Sequence, residues 1–345
     1  MLLKFPCRAP VLTVREISTA AALAELRPEW TDLFERCPAA TVFQSPEWLL
    51  GWWRHFGGAP LWVLALRQDD RLAGLAPFYV YRNTVVLLGN GVSDYLDVLV
   101  EPGLETAGAS AILAHLDAHR ERWEQCDFRQ LRPNSPLAMV PVPADWSEYL
   151  ASDDPCMSAT LTNFPGALSP HFLKKLDYEA RYLGRLGTVT WEQASPENFT
   201  ELFDAFRKLH AARWSLRREP DLLADETVAA FHAETARQLL TRGMLRLHAL
   251  RQGERIVACC YGFAHRGQIS FYAGGFDPDF ARHGIGNLSV FHAMNAAARE
   301  GAETFDFLRG CEPYKARWGA RESSTLRRCL AHPGAGADIR KDVPA

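Results

Sequence analysis

The sequence predicts an α/β protein of two tandem units, each a mixed, mainly antiparallel sheet flanked by helices. Three observations point there. A hairpin occurs twice: Leu66-Arg67-Gln68-Asp69-Asp70-Arg71-Leu72-Ala73-Gly74 is matched by Leu250-Arg251-Gln252-Gly253-Glu254-Arg255-Ile256-Val257-Ala258. Upstream of it, Thr31-Asp32-Leu33-Phe34-Glu35 is echoed by Thr200-Glu201-Leu202-Phe203-Asp204. Downstream, each half reads strand, helix, strand in the same order. Repetition of this kind fixes architecture before any single residue does. A chain of 345 residues suits two domains at roughly 100–200 residues each. The expected division is 1–165 and 166–345.

In the first unit, residues 11–17 alternate as a strand. Residues 19–36 have helical periodicity, interrupted near Pro28. Ser45-Pro46-Glu47 opens a helix to about Phe56, with Ser as N-cap, Pro at the first position and an acid in the first turn. Trp48 and Trp52 share one face of it and are read as core. Strands are expected over 61–67, 71–82 and 84–88, the first two joined by a polar turn. Gly89-Asn90-Gly91 breaks the pattern before Ser93-Asp94-Tyr95-Leu96-Asp97 and a strand over 98–100. An Ala- and Leu-rich helix spans 103–122, and 128–131 is a strand. Residues 141–165 carry scattered prolines and read as a linker holding one strand, 156–161.

The second unit begins with Ser169 capping a helix to about Leu186. A strand over 188–192 follows, then Ser195-Pro196-Glu197 opens a helix towards Arg213. A further helix spans 225–242, and strands cover 244–251, 254–265 and 267–275. The turn Arg282-His283-Gly284-Ile285-Gly286 stands directly before an apolar helix. It presents backbone N–H groups and a helix N-terminus where an anion such as a diphosphate fits. The first unit has Glu101-Pro102-Gly103-Leu104 at the matching place, so a phosphorylated ligand is expected in the second unit only. After the next strand, Asp306-Phe307-Leu308-Arg309-Gly310-Cys311-Glu312-Pro313-Tyr314-Lys315 gathers ionisable groups at a strand's C-terminal end, a common address for chemistry in α/β folds.

Composition narrows the function. Hydrophobic residues make up 48% and charged residues 23%, as in a soluble globular protein. A formal net charge of −3 argues against a DNA binder held by a global basic field. No apolar run reaches the roughly 18–20 residues of a membrane span. The amino terminus, broken by Pro6 and Pro10, lacks the apolar core of a signal peptide. Eight scattered cysteines without a C-x-x-C pair fit reduced, cytoplasmic thiols and neither a disulfide framework nor a metal site.

The chain resembles the CelD-like (BioF-type) acetyltransferases of the GNAT superfamily, which are similar to the FemAB group with two GNAT units in tandem. The residues carrying the resemblance are Phe43-Gln44-Ser45-Pro46-Glu47-Trp48, Trp52-Trp53-Arg54-His55-Phe56-Gly57, Ser93-Asp94-Tyr95-Leu96-Asp97, and above all Asp306-Phe307-Leu308-Arg309-Gly310-Cys311-Glu312-Pro313-Tyr314-Lys315-Ala316-Arg317-Trp318-Gly319. The resemblance covers roughly 11–330. The fold it implies is two tandem GNAT-like units. The activity it implies is transfer of an acyl group from acetyl-coenzyme A or another acyl-coenzyme A to an amine or hydroxyl of a small molecule or saccharide.

That chemistry assigns roles. The turn Arg282, His283, Gly284, Ile285, Gly286, Asn287 holds the diphosphate. The strand end Gly274, Gly275, Phe276 supplies N–H groups to the thioester carbonyl. Tyr314 is the acid for the departing thiolate, and Asp306 and Glu312 are the bases. Asp94, Tyr95, Asp97, Arg309 and Lys315 are candidates for acceptor binding. The bland readings stand beside these. Asp306 caps a strand end or pairs with Arg309 or Lys315, Glu312 belongs to a helix N-cap, and Tyr314 anchors its loop. His210 and His283 are more often helix or surface residues than bases. The GNAT phosphate loop usually opens with Gln or Arg, whereas here Ala281 holds that position and Arg282 is shifted by one. Two other functions share the fold: aminoacyl transfer from charged tRNA, as in the FemAB group, and non-catalytic binding on a degenerate acyltransferase fold.

Overall fold

The computed structural model describes residues 12–217 and 221–334. The amino-terminal stretch without a signal-peptide core, the start of the strand expected at Val11, and Cys7 lie outside these residues. The chain divides into two compact units, one of residues 1–154 and 324–345, the other of 155–323.

Unit 1 opens with β1 (Thr13–Ile17), α1 (Ala20–Glu25) and α2 (Arg27–Arg36). Pro28 stands in the first turn of α2, where its missing N–H costs nothing, so the expected interruption is a helix start. The expected cap-Pro-acid entry is α3 (Pro46–Phe56), with Ser45 Oγ accepting from the Trp48 N–H. Trp48 and Trp52 are buried, and the Trp48 indole donates to Ser93 Oγ at 2.7 Å. The repeated hairpin is β2 (Val63–Gln68) and β3 (Arg71–Ala76). A single strand over 71–82 does not form. Pro77 cannot donate to a ladder, and the chain continues as a separate strand, β4 (Phe78–Tyr81), paired with β5 (Thr84–Leu87). Next come β6 (Leu99–Val100), α4 (Glu105–Ala118), β7 (Gln125–Leu131) and α5 (Pro136–Met139). Strands β1-β2-β3-β6 form one antiparallel sheet.

In the stretch read as a linker, the strand expected over 156–161 is the end of a longer one, β8 (Ser147–Thr160), which carries the chain from unit 1 into unit 2. Its proline and acids hid its first part from propensity rules, which favour β-branched and aromatic residues. Unit 2 then has α6 (Pro170–Arg185), β9 (Val189–Gln193), α7 (Phe199–Arg217), α8 (Glu226–Thr241), β10 (Leu245–Gln252), β11 (Arg255–His265) and β12 (Gln268–Phe276). It ends with α9 (Ile285–Arg299), β13 (Thr304–Arg309) and α10 (Pro313–Ala316). The last strand, β14 (Arg321–Ala331), begins in unit 2 and pairs with β7 in unit 1. The sheet order within unit 2 is β8-β13-β12-β11-β10-β9, antiparallel except for β12 against β13.

The repeat is structural down to its irregularity. Each hairpin closes through two residues, Gln68 opposite Arg71 and Gln252 opposite Arg255. Each carries a bulge at the same place, between Leu66 and Arg67 and between Leu250 and Arg251. The echoed helical segments place Leu33 and Phe34 in the core of unit 1 and Leu202 and Phe203 in the core of unit 2. Among the described residues no helix is long and apolar enough to cross a membrane, and the seven described cysteines are free.

Asp94, Tyr95 and Asp97 are buried in unit 1. Asp97 Oδ1 accepts from the Ser135 hydroxyl and from the Val98 N–H, both at 2.8 Å. Burial pushes its carboxyl up to about 7, against these two bonds and the charge of Arg132. The unfolded chain therefore loses this proton first, near pH 4. The stability it contributes is complete below that pH and drains away as pH rises towards 7. Asp97→Asn keeps the acceptor and removes the charge. It is expected to melt close to the wild type at pH 4 and above it at pH 8, by up to roughly 4 kcal/mol. Parallel melting curves across pH 4–8 would show that Asp97 is not the source of the slope.

Candidate active site

The site in unit 2 begins where two neighbouring strands part. β12 is laddered to β11 along its length, with Tyr272 bulged out opposite Gly262. Its ladder to β13 covers only Gln268–Ser270 against Thr304–Asp306. Asp306 sits at that last rung, buried. Its Oδ1 accepts from the Leu308 N–H at 2.8 Å and its Oδ2 from Gln268 Nε2 at 3.1 Å. The first bond holds Leu308 in the left-handed region, φ 57°, a costly conformation for a branched side chain. The register of β13 against β8 shifts between Asp306 and Arg309. Asp306 thus pins a bulge that turns β13 away, leaving the second half of β12 without a β13 partner.

The glycine turn closes the same end. A 3-10 segment (Pro278–His283) leads from Asp277 to Gly284, φ 72°, and α9 starts there with no side-chain cap. The first N–H groups of a helix lack the usual partner four residues back; in α9 the Asn287 N–H bonds to the Gly284 carbonyl at 2.9 Å, which leaves the earlier amides of the turn for an anion or water. A cavity of about 250 Å³ lies between this turn and the parted strand. Gly274, Gly275, Phe276, Gly284, Gly286 and Asn287 line it, with Tyr314 across from them. Gly275 is glycine for packing as well. A Cβ there would stand 2.3 Å from the backbone N of His210, because α7 lies directly on the strand. The other turn residues fall elsewhere. Ile285 is buried in the unit 2 core, His283 stacks on Tyr182 with ring centroids 5.0 Å apart, and Arg282 is exposed.

Two residues that the sequence reading did not select complete the cavity wall. Arg213, on α7, donates to the Gly274 carbonyl at 2.9 Å and lies 5.6 Å over the Phe276 ring. Cys260, on β11, lines the floor. Burial pushes its thiol up to about 12 and that of Cys259 higher still, so neither is a nucleophile at neutral pH. Burial likewise pushes the Tyr314 hydroxyl up to about 12, against the charge of Arg213, and keeps it a proton donor.

The remaining loop residues hold the loop to itself. Lys315 is buried, and its Nζ donates to the Arg309 and Gly310 carbonyls at 2.7 and 2.8 Å. Glu312, the N-cap residue of α10, pairs with the same ammonium at 2.8 Å. Asp306, Glu312, Arg309 and Lys315 do not line the cavity. His210, buried on α7, has both ring nitrogens engaged, with Asp221 at 2.9 Å and the Trp214 indole at 2.7 Å. Among the described residues, Glu16, His115 and His119 in unit 1 bring potential metal-ligand atoms within 4.8 Å. Burial pushes the Glu16 carboxyl up, but its bonds to His115 and Arg122 and the charge of Arg122 outweigh it and hold it at about 2.

Residues 170–316 match the family model of the acetyltransferase (GNAT) domain. The match spans the helix before the cavity, the parted strand, the glycine turn and Tyr314. No curated protein sequence matches the chain. Solved structures do match, over nearly the whole length. FemX is 11% identical, with a TM-score of 0.61 and coverage of 92% of this chain and 96% of that one. The C-terminal DUF2156 domain of a provisionally assigned lysylphosphatidylglycerol synthetase from Agrobacterium fabrum is 13% identical (TM-score 0.58, coverage 92% and 93%). L-PGS from Bacillus licheniformis is 13% identical (TM-score 0.56, coverage 89% and 92%). At these identities the likeness shows the fold. The family match likens residues 170–316 to acetyltransferases.

The Lys315 contacts describe a clamp that shapes the loop. Lys315→Met strands two loop carbonyls, and is expected to cost about 3 kcal/mol in urea unfolding. Glu312→Gln, at a half-exposed pair, is expected to cost under about 1 kcal/mol. An unchanged midpoint for Lys315→Met would show that the ammonium does not hold the loop.

Proposed function

We propose that unit 2 is an acyl-coenzyme A–dependent acyltransferase of the CelD-like kind, acting on an amine or hydroxyl of a small molecule or polysaccharide precursor. The observation that carries this is the convergence of three features on one cavity: a strand end released from its neighbour, a glycine turn at a helix N-terminus without a side-chain cap, and a half-buried, protonated tyrosine. Each answers a requirement of thioester chemistry.

Attack on a thioester carbonyl builds negative charge on its oxygen, and backbone donors on the freed half of β12, around Gly274–Phe276, are aimed to stabilise it. The donor's diphosphate sits against the first turn of α9, near Gly284, Gly286 and Asn287. As the carbon–sulfur bond breaks, Tyr314 gives its proton to the departing sulfur. Arg213 fixes the strand end by holding the Gly274 carbonyl, and its charge acts on Tyr314. Asp306 serves as a positioning residue, because its carboxylate is spent on the bulge that parts the strands. Asp94, Tyr95 and Asp97 have no part in this reading of unit 2.

Isothermal titration of the folded protein with acetyl-coenzyme A and longer acyl-coenzyme A esters tests the reading. Binding is expected, and no heat with any ester at millimolar concentration would overturn it. Tyr314→Phe is expected to leave that affinity within about twofold and to slow thiol release to an amino-sugar acceptor panel by about 100-fold or more. Equal rates would remove Tyr314 as the acid.

A further inference from the structure

The glycine turn already has an anion beside it. Glu179, on α6, is buried, and its carboxyl lies in the space that a side chain at residue 284 would fill. A Cβ built on Gly284 would stand 2.1 Å from Glu179 Cδ and 2.3 and 2.5 Å from its two oxygens. Asn287, in the first turn of α9, donates its side-chain amide to the same carboxyl at 3.2 and 3.3 Å. Gly284 and Asn287 are two of the groups that the acyl-coenzyme A reading gives to the diphosphate. They are also lining residues of the cavity.

Resting on that reading, we propose that Glu179 is a specificity-determining residue: its carboxylate occupies the diphosphate seat, so donors carrying a diphosphate bind only by displacing it. Two anions do not share one seat. The repulsion is strong where burial removes water. Lys175, one turn earlier on α6, lies 3.8 Å from Glu179 Oε1 on the outer, exposed side. It offers the displaced carboxylate a partner away from the turn. The stacking of Tyr182 on His283 holds α6 against the turn, so the acid stays in place until a ligand competes. Burial raises the pKa of Glu179 despite Asn287 and Lys175, as expected of a charge kept where it is poorly solvated. The missing Gln or Arg at Ala281 fits the same picture, since a carboxylate in the seat leaves a second anion less room to be held.

The test compares acetyl-coenzyme A affinity of the wild type with Glu179→Gln, which keeps the shape and the contact to Asn287 but removes the charge. Glu179→Ala, which empties the seat, is the second variant should the first fold poorly. The expected result is at least a tenfold tighter dissociation constant for the neutral variants by isothermal titration. Equal affinities in wild type and variants would overturn this proposal and leave the coenzyme A reading standing. No binding by any of the three folded proteins would overturn the coenzyme A reading and this proposal with it.

Discussion

The structure of unit 2 depends on one interruption. β12 and β13 run side by side for three residues and then part, and the parting is held by a carboxylate. Asp306 accepts from the Leu308 N–H and from Gln268, fixes a left-handed residue in the middle of a strand, and so directs β13 away. A buried, hydrogen-bonded acid is an expensive way to end a pairing. It is also a rigid one, and a rigid gap in a sheet is a sound place to bind a carbonyl, because the freed backbone donors need no reorganisation.

Everything else in the site is arranged around that gap. The helix α7 presses so closely on β12 that residue 275 must be glycine, which holds the freed strand flat against a rigid backbone. Arg213 holds the Gly274 carbonyl of the strand and brings its charge towards the tyrosine. Lys315 folds the following loop onto its own carbonyls and sets Tyr314 at the mouth. The turn at Gly284 then aims a helix N-terminus into the same space. Glu179 brings a competing charge to it, so the site that suits an anion is also guarded by one.

Much of this was legible in the sequence where the cause is local. The duplicated hairpin announced itself because a two-residue turn between alternating strands has a fixed chemistry, and the structure repeats even its bulge. The capped helices and the glycine turn were equally plain, as was Tyr314, one short loop after a strand. What failed was non-local. β8 runs through Asp153, Asp154 and Pro155, residues that depress any strand propensity, and forms because neighbours supply its ladder. Pro77 split an expected strand in two. Arg213 reaches the cavity, and Glu179 the glycine turn, from helices whose contacts lie 61 and 108 residues away along the chain, and no spacing rule connects them. Asp306 was noticed for its chemistry, but its position relative to the bulge gives it a structural task that a linear reading had offered only as the duller alternative.

The central claim is that the parted strand and the glycine turn are one donor site. Hydrogen–deuterium exchange of the intact protein, with and without saturating acetyl-coenzyme A, addresses it directly. Residues 273–276 and 284–287 should slow together on addition of the ligand, while the amides of β9 and β10 keep their rates. Protection of only one of the two segments, or protection confined to unit 1, would contradict the account.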